Sequence, residues 1–289
     1  MQDMLKLEYK RYLFSKSTLI FLLVIILISA ISWGTSLHEQ THTLAQNARF
    51  ETAPAGEWLH IDYDGWTFLY NLWFNNGGST ALTIYFIYAW MGVVLSSRLH
   101  AEKNSRFGNL VITRQGYRKR LHHVLSVQSL YIVTLISAYI LISFIGSLVL
   151  GGGFLNASTV GIATYGWLAW LGIALLQFLW LSFAFVVINI FCLLLNMWIK
   201  QKQLLQILPF FLFFIVPLLL WSLTVHSAPA LFRIVSGFHT ENTMYVFGFL
   251  FQDWGFNHFL RGAQTVFTTT ILVAILYPLH ISKGAKDYL

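Results

Sequence analysis

The chain has 289 residues, of which 57% are hydrophobic and 10% charged, against about 25% charged in a soluble domain. Charge this sparse cannot cover a water-facing surface, so lipid is the expected solvent and a water-soluble enzyme domain is excluded. The formal charge of +7 is read through the rule that gathers Lys and Arg on the cytoplasmic side of a membrane, not as a sign of nucleic acid.

Residues 1–16 predict an amphipathic helix on the inner membrane surface. At helical spacing Met1, Leu5, Tyr9, Tyr12 and Leu13 share one side, and Asp3, Lys6 and Lys10 the other. The other reading is a short basic stop before the first span. The basic start, the long apolar run and the small residues Ser29, Ala30 and Ser32 resemble a cleaved signal. The run is long enough to span, however, and further spans follow, so it is expected to be retained.

A span needs about 20 mainly apolar residues. Six stretches qualify, near 18–37, 79–97, 125–150, 167–195, 204–225 and 264–281, and none contains Asp, Glu, Lys or Arg. An intramembrane charge would have suggested an ion path or proton relay. Four Lys and Arg residues precede the first span, seven lie between the second and third, two between the fourth and fifth, and two follow the sixth. Only Arg49, Arg233 and Arg261 fall on the other side. This asymmetry predicts an all-α membrane protein of six transmembrane helices with both ends in the cytoplasm. Residues 1–289 form one domain, without an internal repeat.

The first outer loop, 38–78, carries Glu39, Glu51, Glu57, Asp62 and Asp64 against Arg49. Trp66, Leu69, Tyr70, Trp73 and Phe74 recur at helical spacing near its end, which suits a short aromatic helix at the outer headgroups, and Asn75 to Gly78 break it. The connection 151–166 is short, uncharged and Gly-rich. The outer segment 226–263 is too apolar for a simple loop. Its pieces Ala230–Val235 and Met244–Phe251 are too short to cross and predict re-entrant or interfacial helices. Pro209 and Pro217 could kink the fifth span. The one cysteine, Cys192, cannot form an internal disulfide.

The inner loop 98–124 is the strongest functional signal. Phe107, Leu110, Val111 and Arg114 recur at helical spacing, so a short helix with a mixed apolar and basic face is expected. Such a helix suits a groove on a soluble partner; the alternative is a topology anchor of positive charge touching lipid headgroups.

At this loop the chain resembles the permease subunit of an ABC exporter of the type-2 membrane-domain family. The local pattern is Glu102, Gly108, the apolar Leu110 to Ile112, Arg114, then Gly116 and Tyr117 and the cluster Arg118 to Arg120, with Arg106 and Phe107 inside it. The wider pattern is the interfacial first helix, the six spans and the apolar outer segment. The resemblance implies that Glu102, Arg106, Phe107, Gly108, Leu110, Val111, Arg114, Gly116, Tyr117 and Arg118 form a coupling helix seated in a partner ATPase. No G-x-x-x-x-G-K-[ST] phosphate loop occurs in the chain, so ATP and Mg would be held by a separate ATPase dimer and no cofactor by this chain. It further implies a second copy or a related permease, a bacterial cytoplasmic membrane, and surrounding lipid as a contact. A substrate path without charge, with limited polarity from groups such as Gln177, Asn189 and Asn196, favours lipids, hydrophobic drugs or amphipathic peptides. Small permeases of Gram-positive relatives often export antimicrobial peptides or confer immunity to them.

One motif points elsewhere. His38-Glu39-Gln40-Thr41-His42 matches H-E-x-x-H, which on a helix places two imidazoles on one side to bind zinc and a carboxylate to activate water. A third ligand is required, and His60, Asp62 and Asp64 are the available donors. An intramembrane zinc metallopeptidase is therefore the competing reading, and a non-catalytic scaffold or sensor the third. His122 and His123 are adjacent and a poor ligand pair. His226, His239, His258 and His280 lie at or near span ends, where structural or interfacial roles are expected.

Overall fold

The computed structural model describes residues 2–49, 69, 72–73, 78–96, 116–150, 167–196, 198–199, 201–227 and 256–287. Among them all regular structure is helical, and no strand occurs. The helices are α1 (Gln2–Leu13), α2 (Lys16–Arg49), α3 (Gly78–Trp90), α4 (Tyr117–Leu150), α5 (Trp167–Leu195), α6 (Lys202–Phe210), α7 (Val216–Ser227) and α8 (Phe256–Asp287). A π-helical turn, Met91–Ser96, prolongs α3, and another, Phe211–Ile215, joins α6 to α7.

Five stretches are long and apolar enough to cross a membrane: Lys16–Thr35, Tyr117–Val149, Leu171–Leu195, Lys202–Leu220 and Ala263–Gly284. A shorter apolar stretch, Leu82–Ser96, stands where the second of the six spans was expected. The outward faces confirm lipid as the solvent. α2 turns Leu19, Ile20, Leu23, Ile26, Leu27 and Ile31 outward, and α8 exposes Ile271, Leu272, Ile275 and Leu279. Exposed apolar stripes of this extent are not tolerated on a soluble monomer. Helices satisfy their own backbone groups, as lipid requires. Ser and Thr hydroxyls do likewise: those of Ser137, Ser143 and Thr269 donate to the carbonyl four residues back, at 2.7 to 2.9 Å.

α4 and α5 form the middle of the bundle. α4 touches α1, α2, α5 and α8, while α5 touches α4, α8, α6 and the first π turn. The core between them gathers Phe21 and Ile25 of α2, Ile87, Tyr88 and Leu95 of the third helix, Tyr131 and Leu135 of α4, and Phe185 and Ile188 of α5. Tyr88 stacks on Phe213 of the second π turn, with centroids 5.6 Å apart. Glycines permit three close approaches, where a Cβ would meet the Trp33 ring at Gly146, the Tyr117 ring at Gly284 and the Gln206 carbonyl at Gly92.

Several sequence boundaries change. α2 continues to Arg49, so residues 38–49 extend the first helix and do not belong to a loop. No Gly or Pro interrupts the stretch from Thr35 to Arg49, and loss of apolarity alone does not end a helix. At 34 residues it is about 51 Å long, which overshoots a hydrocarbon core of about 30 Å. α4 begins at Tyr117, so residues 117–124 of the expected inner loop are its first two turns. α8 begins at Phe256, inside the expected outer segment. Residues 228–255 of that segment, and the loop residues 151–166, lie outside the described residues. Leu69 and Trp73, expected at headgroup level, are helical and fully buried in the main core, together with Leu72. Pro209 and Pro217 flank the second π turn, whose altered hydrogen-bonding absorbs the missing amide protons.

The face of α1 also differs from expectation. Leu5, Tyr9 and Tyr12, read as the membrane side, pack on the bundle, and Tyr12 is 4% exposed. Tyrosine hydroxyls need partners when buried, and α4 supplies them. Thr134 Oγ1 donates to Leu130 O at 2.9 Å, so the Tyr9 hydroxyl is the donor in its 2.7 Å bond to Thr134.

Candidate functional site at the basic end of the bundle

Hydrogen bonds gather the starts of α2 and α4 and the finishes of α3, α5 and α8 at one end of the bundle, and packing against the first π turn brings the start of α6 there. Described basic residues collect here too. Lys6, Lys10 and Arg11 lie on α1, Lys16 opens α2, Arg118 to Arg120 open α4, Lys202 opens α6, and Lys283 is near the finish of α8. This is the end at which residues 97–115 leave the third helix and return at Gly116.

The departing end is clamped by two amides. Gln128 of α4 donates through Nε2 to Leu95 O at 3.3 Å and to the Tyr12 hydroxyl at 3.2 Å. Its Oε1 accepts from Asn189 Nδ2 of α5 at 3.0 Å. Asn196 Nδ2, at the finish of α5, donates to Ser96 O at 3.4 Å. Terminal carbonyls of a helix have no partner within it, and two of them are thus satisfied by other helices. Gln128 and Asn189 are both 0% exposed, so the three bonds at Gln128 lie inside one chain. Replacing Gln128 with Leu removes all three and is expected to cost about 2 kcal/mol. Titration of the purified protein with sodium dodecyl sulfate against the wild type measures it.

The returning end is fastened by an aromatic lock. Gly116 has φ +78°, a left-handed backbone that glycine adopts without strain, and its carbonyl accepts from Arg120 N at 3.2 Å to open α4. Tyr117 turns inward and is 7% exposed. Its hydroxyl lies 2.6 Å from His280 Nε2, and His280 Nδ1 lies 2.8 Å from Leu194 O. A carbonyl only accepts, so Nδ1 carries the proton and Nε2 accepts from Tyr117. The Tyr117 ring sits over Gly284 in the notch of α8. Trp198 lies beside His280, with centroids 6.3 Å apart, and Lys283 Nζ stands 5.3 Å from the Trp198 ring.

Electrostatics fix the first turns of α4. Arg118, Lys119 and Arg120 stand at the positive end of the helix dipole, an unfavourable place for cations. Glu8 of α1 answers this. Arg120 Nη1 donates to Glu8 Oε1 at 2.9 Å, and His123 Nε2 lies 3.1 Å from Glu8 Oε2, outside hydrogen-bond geometry. Arg120, read as part of the basic cluster Arg118 to Arg120, is buried, whereas Arg118 and Lys119 are exposed.

Of the ten positions expected to dock an ATPase, Gly116, Tyr117 and Arg118 are described. Glu102, Arg106, Phe107, Gly108, Leu110, Val111 and Arg114 lie outside the described residues. Arg118 offers its side chain to the outside, and Tyr117 gives its own to the lock. Asn189 and Asn196, expected to add polarity to a substrate path, are spent on bonds between helices of one chain, and Gln177 is also fully buried. His38, Glu39 and His42 fall on the continuous helix α2, so their backbone register meets the one-sided spacing that zinc requires. His38 is exposed. The side chains of Glu39 and His42, and residues His60, Asp62 and Asp64, lie outside the described residues. Among the described residues no group of three or more metal-ligating side chains occurs.

Sequence reasoning missed Glu8, Gln128 and the roles of Arg120, His123 and Tyr117. A glutamine in an otherwise apolar run was a usable signal for Gln128, since a buried amide needs partners. Glu8 among the basic residues of α1 was another. No family model matches the chain, and neither a curated protein nor a solved structure does.

Proposed function

We propose that the chain is the permease subunit of an ATP-driven exporter of the ABC type-2 membrane-domain class. It crosses a bacterial cytoplasmic membrane six times with both ends inside, pairs with a second permease, and moves a hydrophobic or amphipathic substrate such as a peptide, lipid or drug. A separate ATPase dimer docks on residues 98–124 and supplies ATP and Mg. The observation that carries this reading is the mounting of residues 97–115. Leu95 and Ser96 are held by Gln128 and Asn196, and Tyr117 by His280 and Gly284. A displacement that reaches either of these flanking points is passed into the bundle through the helices that hold it. The basic residues gathered at this end support its placement in the cytoplasm.

Purification from the native membrane tests the reading. An ATPase is expected to accompany the protein, and Phe107→Ala, Leu110→Ala or Arg114→Ala to weaken its retention by about tenfold or more, as loss of an interface anchor does. Absence of an ATPase, or retention unchanged in all three variants, overturns the proposal. Stoichiometric zinc lost on His42→Ala would then favour the metallopeptidase.

A further inference from the structure

The side of α1 that the bundle leaves uncovered has a definite pattern. Lys6, Lys10 and Arg11 are exposed, Leu7 is 55% exposed and Phe14 is 80% exposed. Phe14 continues the helical turn, since its N–H donates to Lys10 O at 2.9 Å. At about 100° per residue these side chains follow one another around the helix as Lys6, Lys10, Phe14, Leu7 and Arg11. Two apolar groups are thus flanked by cations on both sides.

α1 also lies across α4, not alongside it. Glu8 reaches Arg120 and its neighbour Tyr9 reaches Thr134. Those two α4 residues are 14 positions apart, about 21 Å along the helix. Adjacent residues can diverge that far along α4 only if the two axes cross steeply. The crossing falls between the polar opening of α4 (Arg118 to His123) and its apolar continuation. A helix at that level, across a span, lies in the plane of the membrane surface.

We infer that this outer face of α1 binds anionic phospholipid, with Leu7 and Phe14 entering the acyl region and Lys6, Lys10 and Arg11 engaging headgroup phosphates. Charge complementarity selects the occupant: a neutral surface would satisfy the apolar pair and leave three cations unanswered. The inference is independent of the transport reading, because it needs only that α1 lies at a membrane surface.

The test uses the purified full chain in phosphatidylcholine bilayers with trace spin-labelled phosphatidylglycerol or phosphatidylcholine. The immobilised fraction is expected to favour phosphatidylglycerol by about threefold, given the attraction of each surface cation for anionic lipid. The variant Lys6→Gln/Lys10→Gln/Arg11→Gln should lose most of that preference, Lys6→Arg/Lys10→Arg should keep it, and excess inorganic phosphate should leave it unchanged. All three side chains are exposed, so folding is not at stake. A spin label on Phe14→Cys should be reached by oxygen and shielded from an aqueous nickel chelate; Cys192 is fully buried and does not compete for the label. Equal immobilisation of both lipids by the wild type, an unchanged preference in the triple Gln variant, or displacement by phosphate would overturn the inference. A label open to the chelate would overturn it too, and assign the face to a soluble partner.

Discussion

Replacing Glu8 with Ala is expected to destabilise the folded chain by about 2–3 kcal/mol, somewhat less than the loss that follows when one member of a fully buried ion pair is removed, since the Glu8 side chain is 15% exposed. The Arg120 side chain is 8% exposed and would keep its charge while losing the Glu8 carboxylate, with two further cations in the same helical turn. The loss arises from the poorer balance of that charge more than from the missing bond. It follows that Arg120→Met should restore much of the stability lost in Glu8→Ala, because the double variant removes the buried cation that Glu8 helps to balance. A double-mutant cycle by detergent titration measures the coupling, expected at about 2 kcal/mol or more for groups in direct contact. Additive losses would show that Glu8 and Arg120 act separately. The anchoring is mechanical as well: Glu8 joins α1 to the helix that follows residues 97–115, so its loss frees the start of α4 before it unfolds the bundle.

Five of the expected spans were legible because apolarity in lipid is nearly a sufficient instruction. α5 runs from Trp167 to Leu195, as its uninterrupted apolar run predicts. The helices that ran past their apolar runs did so for a physical reason. Arg and Lys are good helix formers, so the basic turns 117–124 join α4 once Glu8, more than a hundred residues away in sequence, supplies the opposing charge. α1 shows a different limit. Periodicity found its two sides, but not which side meets protein, because tyrosine suits both a lipid interface and a packed seam with hydroxyl partners. The polar residues of the site were legible singly, as with Asn189 and Asn196. Their pairing with Gln128 and Ser96 was not, since pairing depends on which helices neighbour one another and how they are rotated. The basic loop is read as a docking segment from its residue spacing alone, whereas the fastening of the residues that flank it required the packed bundle.

Gly92→Ala is the second substitution with a large expected effect. Gly92 lies in the π turn that ends the third helix and faces α6 near Pro209. A Cβ there would run into the backbone carbonyl of Gln206 and stand 3.2 Å from Pro209 Cδ. A flexible side chain could turn away, but a carbonyl fixed in a helix moves only with its helix. The methyl group must therefore separate α6 from the π turn, loosening packing that includes Met91, Leu95 and Leu205. The expected cost is about 3 kcal/mol, at the upper end for overpacking. Gly172→Ala is the matching control. Gly172 is exposed on α5 with nothing within 4 Å of its Cβ position, so alanine there should gain up to about 1 kcal/mol from helix propensity. Detergent titration of both variants should give opposite signs. A neutral Gly92→Ala would mean that α6 and the π turn are not in contact. The separation also displaces Ser96, four residues on, from the Asn196 amide that clamps it. Variants at Gly92 should consequently weaken the departing end of the basic loop even at temperatures where the bundle remains folded.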